Sequence, residues 1–182
     1  MKSRRFTVPL LALVVPLVGH ADEALFIDKD TCPGERCTYC ELIVARNAYP
    51  VYESPSRQSD QVGTIPTGDA FVTRYGEVHT VPQRLIVTKE RGKLHPGDEL
   101  FILTYTGEGH YRARLNGELV EGVELLNHPW AETPAYWYDC PDDDKNCWGE
   151  LTGPIQSTWW IYVESEQGLT GWIAYVDSMQ PD

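Results

Sequence analysis

From residue 42 onward, short apolar runs alternate with glycine- and proline-rich turns, and no stretch keeps a helical hydrophobic period. That texture restricts the fold more than any other feature. Runs rich in Val, Ile, Thr, Tyr and Trp between Gly, Pro, Asn and Asp clusters read as strands. Candidate strands cover 42–45, 49–52, 61–65 and 70–75, punctuated by Ser54-Pro55-Ser56, by Pro66-Thr67-Gly68-Asp69 and by Gly76. A second set covers 85–88, 99–104, 110–115 and 119–125. Within it, Asn116-Gly117 is the best hairpin signal, because both residues tolerate the positive φ of a type I′ turn. A last pair, 157–164 and 169–176, flanks the turn Ser165-Glu166-Gln167-Gly168. The predicted class is mostly β, a small barrel or sandwich.

The N-terminus sets the compartment. Lys2, Arg4 and Arg5 precede an apolar run of 13 residues, 6–18, and then Gly19-His20-Ala21. This is the layout of a cleavable signal peptide over 1–21, with cleavage after Ala21. The run is shorter than the roughly 17–25 residues needed to span a bilayer. The expected location is periplasmic or secreted. Loss of the leader takes the net charge from −12 to −15. So acidic a chain repels phosphate backbones and anionic headgroups, which disfavours nucleic-acid and electrostatic membrane partners.

Export makes disulfides the default for the five cysteines. Cys140 and Cys147 bracket a short acidic loop and are expected to pair. Cys32, Cys37 and Cys40 sit in a polar lead-in, 22–41, and leave one thiol over. Cys37-Thr38-Tyr39-Cys40 has thioredoxin-like spacing but lacks a βαβ setting, so a structural disulfide is the preferred reading. No second ligand pair completes a zinc site, and no metal or cofactor is expected.

Residues 127–156 differ from the rest, with Pro, Asp, Trp and Tyr concentrated in one stretch. It reads as a long disulfide-stapled loop. Trp130, Trp137 and Trp148 there, beside Asp142, Asp143 and Asp144, form a candidate recognition surface of flat rings with an acidic rim.

The terminal strands carry a resemblance. Trp159-Trp160-Ile161-Tyr162-Val163, a polar turn and Gly171-Trp172-Ile173-Ala174 resemble the close of bacterial SH3-like domains. Ala45-Arg46-Asn47, the Ser54-Pro55-Ser56 turn, Val62-Gly63-Thr64-Ile65 and Gly68-Asp69 resemble the first half of one. Residues 109–118, after Pro96-Gly97-Asp98, look like a second copy of the hairpin. The resemblance implies small SH3-like barrels, with Trp160 and Trp172 in a barrel core. The matching halves are far apart, so the expected organisation is nested. An outer module, 42–76 and 157–178, receives an inserted β subdomain, 77–126, and the stapled loop, 127–156; tandem modules are the alternative.

Catalytic signals are weak. His79, His95, His110 and His128 have no metal-pair spacing and read as surface or turn residues. Ser157 and Ser165 lie in no nucleophile elbow. The functional expectation is a non-catalytic exported SH3-like protein that binds a peptide, a cell-wall fragment or an envelope protein. The alternatives are a thiol–disulfide redox or metal-binding protein using the Cys32, Cys37 and Cys40 cluster, and a secreted inhibitor or effector.

Overall fold

The computed structural model describes residues 24–31, 33, 39–125 and 148–175. Within them twelve strands and no helix form two antiparallel sheets. The first sheet contains β1 (Phe26–Lys29), β2 (Leu42–Val44), β3 (Tyr49–Tyr52), β4 (Gln61–Ile65), β5 (Ala70–Val81), β11 (Gln156–Ser165) and β12 (Thr170–Tyr175). Their order is β1-β5-β11-β12-β3-β4, and β2 pairs with the start of β5 on the edge that β1 also uses. The second sheet contains β6 (Gln83–Val87), β7 (Glu99–Gly107), β8 (His110–Leu115), β9 (Glu118–Glu124) and β10 (Gly149–Leu151), in the order β10-β6-β7-β8-β9. Every strand of the second sheet falls between β5 and β11 in the chain.

Alternation divides the side chains of each strand in the first sheet between a core side and an outer side. On β11, Trp159, Ile161 and Val163 point inward and pack with Val51, Ile65, Phe71, Val78 and Ile173. Each such aliphatic burial stabilises the fold by about 1.5–3 kcal/mol. A one-residue slip would expose the whole set, so the register is strongly specified. The second sheet has its own core of Leu85, Val87, Leu100, Ile102, Tyr111, Ala113, Val123 and Trp148. An ion pair links the sheets, with Arg112 on β8 reaching Asp28 on β1 as well as its neighbour Glu121.

Several elements depart from the sequence reading. The sheets are open rather than closed barrels. β4 ends one side of the first sheet and β1 and β2 end the other, with no ladder joining them among the described residues. The lead-in is not wholly irregular, because β1 lies within it and pairs with Glu77–Thr80. Gly76 does not end a strand. It sits inside β5 because a Cβ there would lie 2.5 Å from the Trp160 carbonyl oxygen and 2.6 Å from the Tyr39 hydroxyl. The residue is a close-approach glycine, not a turn. The stretch 127–156 is not all loop either, since β10 pairs with β6 near its end.

Trp172 is not a core residue. Gly171 and Ile173 take the inward positions opposite Val163 and Ile161, so Trp172 faces out and is half-buried. Trp160 is buried at 4% exposure, but on that same outer side.

Candidate functional site

The outer face of the first sheet is unlike an ordinary solvated sheet face. Side chains directly opposite one another on neighbouring strands share a face, so the register can be read across it. Tyr75 on β5 faces Tyr162 on β11, Tyr162 faces Trp172 on β12, and Trp172 faces Tyr52 on β3. Four aromatic residues therefore cross four strands in one row. Tyr75 and Trp172 meet edge to face at 5.5 Å, as do Tyr162 and Trp172 at 5.6 Å. In the next row Glu77 faces Trp160, whose ring meets Tyr52 edge to face at 5.8 Å. In the row beyond, Ile27 faces His79, and His79 faces Thr158.

A β-bulge shapes one side of this face. Tyr162 pairs with Tyr75 but Val163 pairs with Thr73, so β5 carries one extra residue there. Arg74 and Tyr75 are both exposed as a result. Arg74 then meets Glu164 at 2.6 Å, an exposed pair that contributes little to stability. Tyr75 is 44% exposed. Its phenol pKa is raised, first by desolvation against its neighbours and then by the charges of Tyr162 and Glu77.

His79 and Glu77 form the polar centre. Two residues apart on one strand, they point the same way, and His79 Nε2 lies 2.6 Å from Glu77 Oε1. Both side chains are only 12% exposed. The His79 ring also lies 6.2 Å from the Trp160 ring. Beside them runs a groove of about 280 Å³ lined by Leu25, Pro55, Ser56, Arg57, Gln58, His79, Val81, Gln156, Thr158 and Trp160. The β3–β4 turn supplies one wall, and the ends of β5 and β11 supply the other.

Of the site residues selected from sequence, Trp148 and Cys40 are among the described residues. Trp148 is the clearest correction. It is 3% exposed, packs in the core of the second sheet, and donates from Nε1 to the Glu124 carbonyl oxygen at 3.2 Å. Arg91 covers its ring at 5.3 Å. The second sheet needs a large apolar cover next to β6, and the start of β10 delivers one. Cys40 is exposed and makes no disulfide among the described residues. Trp130, Trp137, Asp142, Asp143, Asp144, Cys140, Cys147, Cys32 and Cys37 lie outside the described residues. Among the described residues no group of three or more His, Cys, Asp or Glu side chains is placed to hold a metal. No helix among them is long and apolar enough to cross a membrane.

The sequence reading passed over His79 as a surface or turn residue. It is a largely buried strand residue held by Glu77. The available signal was Glu77-Val78-His79, two polar residues at strand spacing next to an aromatic partner strand.

No known protein family, characterised protein or solved structure matches this chain.

Proposed function

We propose that this chain is a non-catalytic binding protein, exported to the periplasm or beyond, whose recognition surface is the outer face of the first sheet. Its ligand is a peptide, a cell-wall fragment or an envelope protein. The observation that carries this reading is where the exposed apolar side chains lie. Of the eight large hydrophobic residues exposed among the described residues, Ile27, Leu42, Val44, Tyr75 and Val81 share the outer face by register, and Leu25 joins Val81 in the groove. Single exposed apolar residues need no explanation, but a concentration of them on one sheet face favours that face as the interaction surface. The tripartite leader over 1–21 supports export.

We further read the first sheet as an opened SH3-like module interrupted by the second sheet. The antiparallel pairing of Trp159–Tyr175 with the tight approach at Gly171 supports that reading. At Gly171 φ is +152° and a Cβ would lie 2.6 Å from the Tyr52 carbonyl oxygen.

The test is retention. Exported protein, its N-terminus confirmed as Asp22 by sequencing, is sedimented with purified cell wall and passed over immobilised envelope extract. Retention that drops at least tenfold in Tyr75→Ala, measured well below the unfolding transition of both proteins, is the expected result. Equal behaviour of wild type and variant on every ligand removes this face as the recognition surface.

A further inference from the structure

We propose that β1 is a detachable strap on the edge of the recognition face, and that Arg112 of the second sheet is its latch. What the strap controls rests on the outer face being the recognition surface; the latch itself does not.

β1 is held unlike its neighbours. Every other strand of the first sheet sends a side chain into the sheet's core or against it, from Ile43 on β2 to Ile173 on β12. None of Phe26, Ile27, Asp28 or Lys29 belongs to that core or to the core of the second sheet. Ile27 and the preceding Leu25 are among the exposed large hydrophobic residues. As an edge strand, β1 has one neighbour, β5, over four residue pairs. An element with so few buried apolar contacts opens locally at far lower cost than the core strands.

Among the described residues, one ion pair holds the side chains of β1. Asp28 takes the inward position opposite Val78, and its side chain is 11% exposed. Arg112 Nη1 donates to Asp28 Oδ2, and Arg112 Nε meets Glu121 at 3.0 Å. Arg112 sits where the register of β8 against β9 shifts, between Tyr111 and Ala113, so its side chain is free of the regular ladder. Removing one partner of a buried pair leaves the other charge desolvated and uncompensated. The two removals are unequal here. Arg112 keeps Glu121 when Asp28 is lost, whereas Asp28 has no second cation among the described residues when Arg112 is lost.

The hinge lies just past the strap. Asp30 has φ 54°, a conformation that Asp tolerates, and its amide donates to the Gly76 carbonyl at 2.9 Å. The Thr31 carbonyl accepts from the Tyr39 hydroxyl, and Tyr39 packs against the first core. The chain is pinned there, while Leu25 at the strap's free end is a wall of the groove. Ile27 and Lys29 lie directly opposite His79 and Glu77. Swinging β1 away takes Leu25 out of the groove, uncovers His79 and Glu77, and frees the edge of β5 over Glu77–Thr80. A closed strap completes the groove and an open one dismantles it. Through one arginine, the inserted sheet decides which.

Hydrogen exchange on the exported chain without ligand, below the unfolding transition of each variant, reads the latch. Arg112→Met should speed exchange at least tenfold in the ladder amides of Phe26–Lys29 and Glu77–Thr80, and leave β3 and β7 unchanged. Asp28→Ala should speed it less, and Arg112→Lys should recover part of the protection. Diethyl pyrocarbonate modifies accessible imidazoles and gives a second readout. His79 should react several-fold faster in Arg112→Met, with exposed His95 as the internal reference. Exchange that rises evenly through both sheets makes Arg112 a global stabiliser, and exchange that does not rise leaves β1 without a latch; either overturns the proposal. A local rise without faster modification of His79 overturns the strap's control of the groove. Neither readout uses a ligand, so a failed retention assay removes the recognition face and leaves the latch standing, and failed exchange does the reverse.

Discussion

Tyr75 and Tyr162 lie directly opposite each other on β5 and β11, with ring centroids 5.0 Å apart and an interplanar angle of 5°. The pair stands on the side of the sheet away from the core. Such a pair contributes about 0.5–1.5 kcal/mol beyond its buried area. Tyr75→Ala should therefore cost about 1 kcal/mol, while Trp159→Ala on the opposite face should cost about 3–5 kcal/mol. Trp172→Ala belongs with the outer set and should fall well short of Trp159→Ala. Urea denaturation of the three variants checks this. A Trp172→Ala loss as large as that of Trp159→Ala would make the row structural rather than a recognition surface.

Gly76→Ala tests the close approach inside β5. The added Cβ meets the backbone oxygen of Trp160 at 2.5 Å, and a paired strand cannot easily yield. Overpacking of this kind costs about 1–3 kcal/mol, and both the Tyr39 hydroxyl and Trp159 Nε1 are displaced with it. Gly92→Ala is the control. Its φ is +62° with open space around it, so its cost is backbone strain alone, about 1–2 kcal/mol. Thermal melts, with the near-ultraviolet signal of the tryptophans followed for Gly76→Ala, give the comparison. An unperturbed aromatic signal in Gly76→Ala contradicts the geometry.

Trp148→Ala should behave as a core deletion, losing about 3–5 kcal/mol. The lost indole also leaves the Glu124 carbonyl without its donor and Arg91 without its ring. Trp148→Phe retains most of the packing and should cost less. Hydrogen exchange gives a local readout, because Thr88 and Lys89 both donate to the Trp148 carbonyl. Protection of those two amides should fall in the alanine variant. A surface-sized loss, below about 0.5 kcal/mol, would return Trp148 to the role of exposed anchor.

Tyr39 predicts an alkaline limb. Its hydroxyl donates to the Thr31 carbonyl at 2.7 Å and accepts from Trp159 Nε1 at 3.0 Å. Burial raises its phenol pKa above 10.0; the Trp159 bond opposes the rise and the charge of Asp30 adds to it. In the unfolded chain the phenol ionises near pH 10. Between that pH and the higher folded value, the folded state binds more protons than the unfolded one, so stability falls as pH rises. Below about pH 10 this group's contribution is constant. Tyr75 is shifted in the same direction, so Tyr39→Phe should flatten part of the decline while lowering the plateau. Denaturation midpoints from pH 7 to 11 measure both. An unchanged slope in Tyr39→Phe would show that the shift lies elsewhere.

The strands whose pattern is local were legible in the sequence. Tyr49–Tyr52 and Gln61–Ile65 form as read, and Asn116 and Gly117 take φ values of 52° and 82° in the hairpin turn between β8 and β9. The short edge strands were not legible. β1 and β10 form because the far half of β5 and the edge of β6 offer them ladders, and that is a tertiary fact. The bulky groups on both faces of β11 were also visible in the sequence. Which face would be covered was not, since period-two alternation is symmetric until a core is chosen. Trp148 and Trp172 exchanged their expected roles for that reason. One was drawn into the second core by a neighbouring strand, and the other was turned out by Gly171 and Ile173.

The placement of the second sheet also bears on the order of folding. β5 and β11 form the longest ladder among the described strands, yet everything from 82 to 155 separates them in the chain. Closing a loop of that length before any contact rewards it is what slows the folding of β proteins. Gln156 and Val81 are nonetheless partners in register, and β6 and β10, a few residues away, pair with each other in the second sheet. Once the β7–β8–β9 meander and the β6–β10 pair have formed, the two halves of the first sheet emerge side by side. A distant pairing becomes the extension of an existing one. Folding should then be nucleated in the insert, with Φ-values higher at Leu85 and Leu151 than at Val78 and Ile161. The reverse order would mean that the first sheet closes the long loop unaided.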